Sequence, residues 1–127
     1  MSTATVIGTV TFPAVSGGPN TSPVIGSPVV TPVTATTGHT VTYTEGGARS
    51  IAIGATLTQA VSFDGIAAGN FVYIGTDQAI EVTLDGADTA ISLLAGGFVM
   101  VSKAGITSIS ITAGVLEANV SVILLGD

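Results

Sequence analysis

Cysteine and tryptophan are absent from this 127-residue chain, histidine occurs once, and only Arg49 and Lys103 carry positive charge. Without cysteine there is no disulfide and no thiolate nucleophile, although the count says nothing about compartment. A single histidine, His39, leaves zinc or copper short of its usual ligands. Two cations in a chain of net charge −6 cannot neutralise a run of phosphates, which excludes nucleic-acid binding and gives anionic lipid no handle. Long apolar runs are missing too. Mean hydropathy is +0.75, yet no run approaches the roughly 20 residues of a spanning helix. The longest apolar clusters, such as Val120 to Leu125, have strand length. Aromatics, at 5%, are too sparse for the girdles of a transmembrane barrel. The N-terminus, MSTATVIGTV, lacks a basic region and a signal-length apolar core, which predicts a chain made in a cytoplasm and not exported by the general secretory route.

Charge itself is the largest deficit. Charged residues are 8% of the chain, against roughly 25% in an ordinary soluble domain. So little charge is hard to reconcile with a fully solvated surface. Two readings follow: an assembly subunit covered in part by other protein, or a small domain coated in Thr, Ser and Asn side chains. The first is the expectation carried forward.

What the chain has in quantity is short β-branched runs punctuated by glycine. From Asn70 on, turn signals recur at Gly75, Asp85-Gly86, Gly96-Gly97, Gly105, Gly114 and Gly126. That rhythm belongs to an antiparallel sandwich or barrel, and no helix of ordinary length fits between the turns. Strands are predicted at 71–74, 79–84, 89–94, 98–102, 108–112 and 119–125. Ile80, Val82 and Leu84 share one face, with Glu81 and Thr83 opposite; Ile109 and Ile111 alternate with Ser and Thr. Val122 to Leu125 is apolar on both parities, the mark of a central strand covered on both faces or facing a partner. Upstream, strands are predicted at 5–12, 39–45, 49–53 and 56–63, with turns at Gly46-Gly47 and Asp64-Gly65. Leu57, Val61 and Phe63 are core candidates. About ten strands result, all but the first in a domain spanning residues 39–127.

Residues 1–38 read differently. One strand ends at Pro13, and Pro19, Pro23, Pro28 and Pro32 then recur every four or five residues. Each proline fixes φ and biases its predecessor to extended backbone, which excludes helix. A flexible linker is one reading. The other is an extended arm lying on a neighbouring subunit, favoured by Val24, Ile25, Val29, Val30 and Val33, since solvated linkers are poor in such residues. The expected contact residues are Pro13, Pro19, Pro23, Val24, Ile25, Pro28, Val29, Val30, Pro32 and Val33.

Catalytic chemistry finds no purchase. His39 is flanked by Gly38 and Thr40, neither an orienting carboxylate nor an activated nucleophile beside it. Asp77, Asp85 and Asp88 lack the spacing of a calcium loop. Glu45, Glu81 and Glu117 could make a glycosidase pair only by converging from separate strands. No glycine pair joins a strand to a helix, so there is no phosphate loop. The expectation is no catalytic residue, no cofactor and no metal.

The passage NFVYIGTDQAIEVTLDGADTAISLLAGGFVMVS resembles a pattern met in small all-β virion proteins of tailed bacteriophages, especially capsid decoration, or cement, proteins. The resemblance lies in Asn70–Ile74, a short polar link, Ile80–Gly86, and the turn Leu93–Phe98 leading into Val99 and Val101. It implies a β-sandwich, jelly-roll-like and trimeric, that clamps the major capsid protein from outside the head. The proline-spaced arm departs from that pattern. The alternative is a tail, fibre or head-spike domain that binds a host glycan or another virion protein; it requires a concave patch holding Tyr43 or Tyr73 beside Asp or Asn.

Overall fold

The computed structural model describes residues 1–12, 33–87 and 89–127, with side chains at 1–5, 41–87 and 89–127. Ten strands occur among them: β1 (Ser2–Phe12), β2 (Val33–Tyr43), β3 (Glu45–Ile53), β4 (Thr58–Ala60), β5 (Gly69–Thr76), β6 (Ile80–Leu84), β7 (Ile91–Leu93), β8 (Phe98–Ile106), β9 (Ile109–Ala113) and β10 (Ala118–Gly126). No described residue is helical. The chain divides into two compact units, Thr5–Thr40 and Met1–Ala4 with Val41–Asp127. In the first, β1 pairs with β2.

The second unit is a sandwich of two four-stranded antiparallel sheets, ordered β3-β10-β5-β8 and β4-β9-β6-β7. The pairing is nested. β6 pairs with β7, β5 with β8, β4 with β9 and β3 with β10, so eight strands make one long hairpin closed at the β6–β7 turn. Rolling that hairpin sets β10 beside β5 and β9 beside β6, which divides it into two sheets. The apolar parity of each strand then faces inward. Val72, Ile74, Val120 and Val122 of one sheet meet Ile80, Val82, Ile109 and Ile111 of the other in a single core. Each such side chain, buried completely, contributes about 1.5–3 kcal/mol over its exposed state.

The alternations read from 80–84 and 109–112 hold, with Glu81 exposed between buried Ile80 and Val82. So do two turns. Asp64-Gly65 and Asp85-Gly86 both take positive φ, and Ile66 N–H and Ala87 N–H close them on Phe63 and Leu84 carbonyls. Strand β10 is central as expected, but it is covered on both faces only at Leu125; Ile123 is exposed.

Other expectations are corrected. Gly46-Gly47 does not turn: both lie within β3, and a methyl on Gly46 would press on Leu125 and the Tyr43 ring. Gly75 lies inside β5. Gly105, at φ +77, lies within β8 where the β5–β8 register shifts, so the strand continues to Ile106 through a bulge. Leu57 is exposed outside the short β4, whereas Val61 is buried and Phe63 packs against the core.

Candidate binding surface

Nesting sorts the loops to two ends of the sandwich. Connections 54–57, 77–79, 94–97 and 114–117 share one end; 61–68, 85–90 and 107–108 share the other, with Thr44 and Asp127. Both cations serve the second end. Arg49, on edge strand β3, bonds Asp64 of the β4–β5 connection, and Lys103, on edge strand β8, bonds Asp85 of the β6–β7 turn. The Lys103 pair clasps one sheet to a turn of the other, and the Arg49 pair clasps that sheet's other edge to the loop joining the two sheets. Asp64 also accepts a hydrogen bond from the Ser62 hydroxyl, and this bond together with the Arg49 guanidinium holds its carboxyl below the usual range. Asp85 is held far below it, by Lys103 first and then by backbone N–H groups of Thr107, at 2.7 Å, and Ser108.

Edge strands invite unwanted pairing unless charge or brevity blunts them. The two cations stand on the two edges of one sheet, and the edge strands of the other, β4 and β7, are three residues each. The edges are therefore guarded within the sandwich itself, a role that could not be assigned to two scattered cations from sequence.

The opposite end is apolar. Leu57, Leu94, Val115 and Leu116 occupy three of its four loops and are 61%, 82%, 85% and 57% exposed. Its charges are Asp77 and Glu117. Reading for core residues placed Leu57 inside and passed over Leu94, Val115 and Leu116; their signal was placement close to Gly54, Gly96 and Gly114, where turns ordinarily carry polar residues.

The outer faces also differ. On the β4-β9-β6-β7 sheet the outward row is Thr58, Ser110, Thr112, Glu81, Thr83 and Ser92, with Thr58 and Thr112 hydroxyls 2.7 Å apart. On the β3-β10-β5-β8 sheet the outward row holds no charge: Ala48, Ser50, Ala52, Asn119, Ser121, Ile123, Tyr73, Phe98 and Met100. Near the apolar end this face dips into a depression of about 380 Å³ beside Tyr73, Phe98, Asp77, Asn119 and Ser121.

The expected site residues scatter. Val33 is the first residue of β2; Pro13, Pro19, Pro23, Val24, Ile25, Pro28, Val29, Val30 and Pro32 lie outside the described residues, as do Asp88 and the side chain of His39. Asp77 and Asp85 stand at opposite ends, so they cannot share a cation. Glu45 begins β3, Glu117 lies past its far end, roughly 30 Å along the strand, and Glu81 faces out from the other sheet, so the three do not converge. Among the described residues no three His, Asp or Glu side chains are grouped to hold a metal, and no helix is long and apolar enough to cross a membrane.

No protein-family model matches the chain, no curated protein matches its sequence, and no solved structure matches its fold.

Proposed function

We propose that this chain is a structural virion protein of the capsid-decoration type, which acts through its contact surfaces. The sandwich is read as a jelly roll. Supporting this, its eight strands pair as a rolled hairpin and split four and four between two sheets, the arrangement of double-sheet folds built from two Greek keys. The observation that carries the functional reading is the apolar end. Four large aliphatic side chains stand in water there while both ion pairs lie at the other end. Patches of this kind mark interaction sites. The proposed occupant is the major capsid protein, with residues 13–38 as the contact arm that reaches a neighbouring copy in a homotrimer on the outer surface of the head.

The test is co-expression with a tailed-phage major capsid protein from the same source, followed by imaging of assembled particles and native mass measurement. The expected result is trimeric density on the outer surface, lost when Leu94→Asp and Val115→Asp place charge in the apolar end. Deleting residues 1–38 is expected to abolish binding while the sandwich still folds. A protein that stays monomeric and leaves shells undecorated overturns the reading; undiminished binding after the deletion overturns the arm.

A further inference from the structure

The depression on the uncharged face has a construction that the contact reading does not use. Gly75 is the penultimate residue of β5 and has no side chain, so Tyr73 lies along the strand with its hydroxyl above it; a methyl on Gly75 would be 2.6 Å from that oxygen. Phe98 is directly across from Gly75 on β8. Its ring therefore comes beside that of Tyr73, with centroids 6.1 Å apart and planes within 25°. Phe98 is 59% exposed. The two rings are thus stacked over a strand position that carries no side chain, with Phe98 left largely exposed at the rim of the depression.

Polar groups stand on one side of this platform only. Asp77 follows two residues after Gly75, and Ser121 pairs with Gly75 from β10, with Asn119 two residues before it. The Asp77 carboxylate accepts the Asn119 backbone N–H at 2.7 Å and the Asn119 side-chain amide at 2.8 Å. The Asp77 carboxylate, also favoured by its own and the Gln78 backbone N–H, is exposed to incoming donors, and the Asn119 amide oxygen has no hydrogen-bond donor among the described residues. Because each residue holds the other, neither must be ordered when a ligand arrives, which removes part of the cost of binding. The Asn119 amide bonds hold the Asp77 carboxyl below its usual range, so it accepts hydrogen bonds throughout the neutral region.

An aromatic platform beside a fixed acceptor pair suits a molecule with an apolar C–H face and hydroxyls on its rim. The negative face of an aromatic ring attracts polarised C–H groups, and Asp and Asn take neighbouring hydroxyls as acceptors. No cation serves the depression, since Arg49 and Lys103 are engaged with Asp64 and Asp85 at the far end. That disfavours phosphates and acidic sugars. The volume, about 380 Å³, lies in the ordinary range for small-ligand sites. We infer that the depression over Gly75 is a carbohydrate subsite for one neutral pyranose, its C–H face on Tyr73 and Phe98 and two neighbouring hydroxyls on Asp77 and Asn119. The site stands independently of whether the chain decorates a shell.

The test is saturation-transfer NMR of the full chain with the methyl glycosides of glucose, galactose, mannose and N-acetylglucosamine, with sialic acid as charged comparison and amide shift mapping to locate binding. At least one neutral glycoside is expected to bind with a Kd of roughly 1 mM, as suits a single exposed subsite, and to shift amides of residues 73–77, 96–98 and 119–121. Phe98→Ala, at an exposed position that should not impair folding, is expected to weaken binding about tenfold. Asp77→Asn and Gly75→Ala are expected to weaken it as well, and Thr83→Ala on the other sheet to leave it unchanged. The inference is overturned if none of the neutral glycosides binds, if sialic acid alone binds, if the shifts map to another face, or if Phe98→Ala and Asp77→Asn bind as the parent does. Shell binding retained by Phe98→Ala, with glycoside binding lost, would separate this site from the decoration reading.

Discussion

Asp77 grips Asn119 twice, one carboxylate oxygen on the backbone N–H at 2.7 Å and the other on the side-chain amide at 2.8 Å. The two residues are 42 positions apart, and their union pins the β5–β6 loop to the first turn of β10. Asp77→Ala should release both bonds. The expected outcome is a lower melting temperature and hydrogen exchange at the Asn119 amide that is faster than in the parent. Asn119→Ala keeps the backbone bond and should have the smaller effect.

Ile111 has no exposed surface, and it faces the core from the middle of β9. Ile111→Ala should cost about 2–5 kcal/mol, through lost transfer energy and the cavity left behind. Leu57→Ala and Leu94→Ala, equally apolar in sequence, should each stay within about 0.5 kcal/mol, because these side chains are already in water. Urea unfolding of the three variants checks the contrast.

Gly126 and Gly105 need glycine for different reasons. A methyl on Gly126 would overlap the carbonyl oxygen of Ala68 and the Ile66 side chain, where Asp127 and Ala68 exchange backbone hydrogen bonds. Gly126→Ala is expected to cost about 1–3 kcal/mol or more, since backbone must move. Gly105 has open space around it but a φ of +77, so Gly105→Ala should cost only the conformational penalty of about 1–2 kcal/mol. Thermal unfolding should rank Gly126→Ala below Gly105→Ala.

Acid should unfold the sandwich through its aspartates. Asp64, Asp77 and Asp85 all have folded pKa values lowered from 3.8. Below about pH 5 the unfolded chain therefore binds protons that the folded chain does not, and stability rises with pH in that window. The contribution is complete above the unfolded value and is lost as pH falls through the folded ones. Melting temperature should be level near neutrality and fall steadily below about pH 5. Asp85→Asn should start lower and show a shallower acid slope.

Lys103 guards an edge strand as well as bonding Asp85. Lys103→Val should leave a nine-residue edge with no charge and promote strand pairing between copies. Light scattering of the concentrated variant is expected to rise while the parent stays clear. Arg49→Val should do the same at the β3 edge.

Much of the fold was legible because strand structure has a period of two. Ile80, Val82 and Leu84, and Ile109 and Ile111, declared their inward face without reference to anything else in the chain. Asp-Gly pairs declared two turns, since few other dipeptides accept positive φ at both positions. Gly46, Gly75 and Gly105 misled, because a glycine that spares room for a neighbour or opens a bulge has the same letter as one that turns. Leu57 misled because it follows a turn and precedes a strand only three residues long. The candidate site was legible only in its parts. The glycan-binding alternative asked for Tyr43 or Tyr73 beside Asp or Asn without saying which; Phe98 and Asn119 were not named for it, since nothing local says which strands adjoin.

By itself the sequence determined the class of this protein. An alternating pattern, frequent turns, scarce charge and no cysteine lead to an all-β domain with antiparallel strands, whatever the order of its strands. Tertiary structure alone decided the rest. Nested pairing gathered Leu57, Leu94, Val115 and Leu116 at one end, sent both cations to the other, and set Phe98 across from Gly75. The physical reason is that alternation is a local property of a single strand, fixing which residues share a face. Adjacency between strands depends on how a long hairpin rolls to bury that face, and this is settled by the core as a whole.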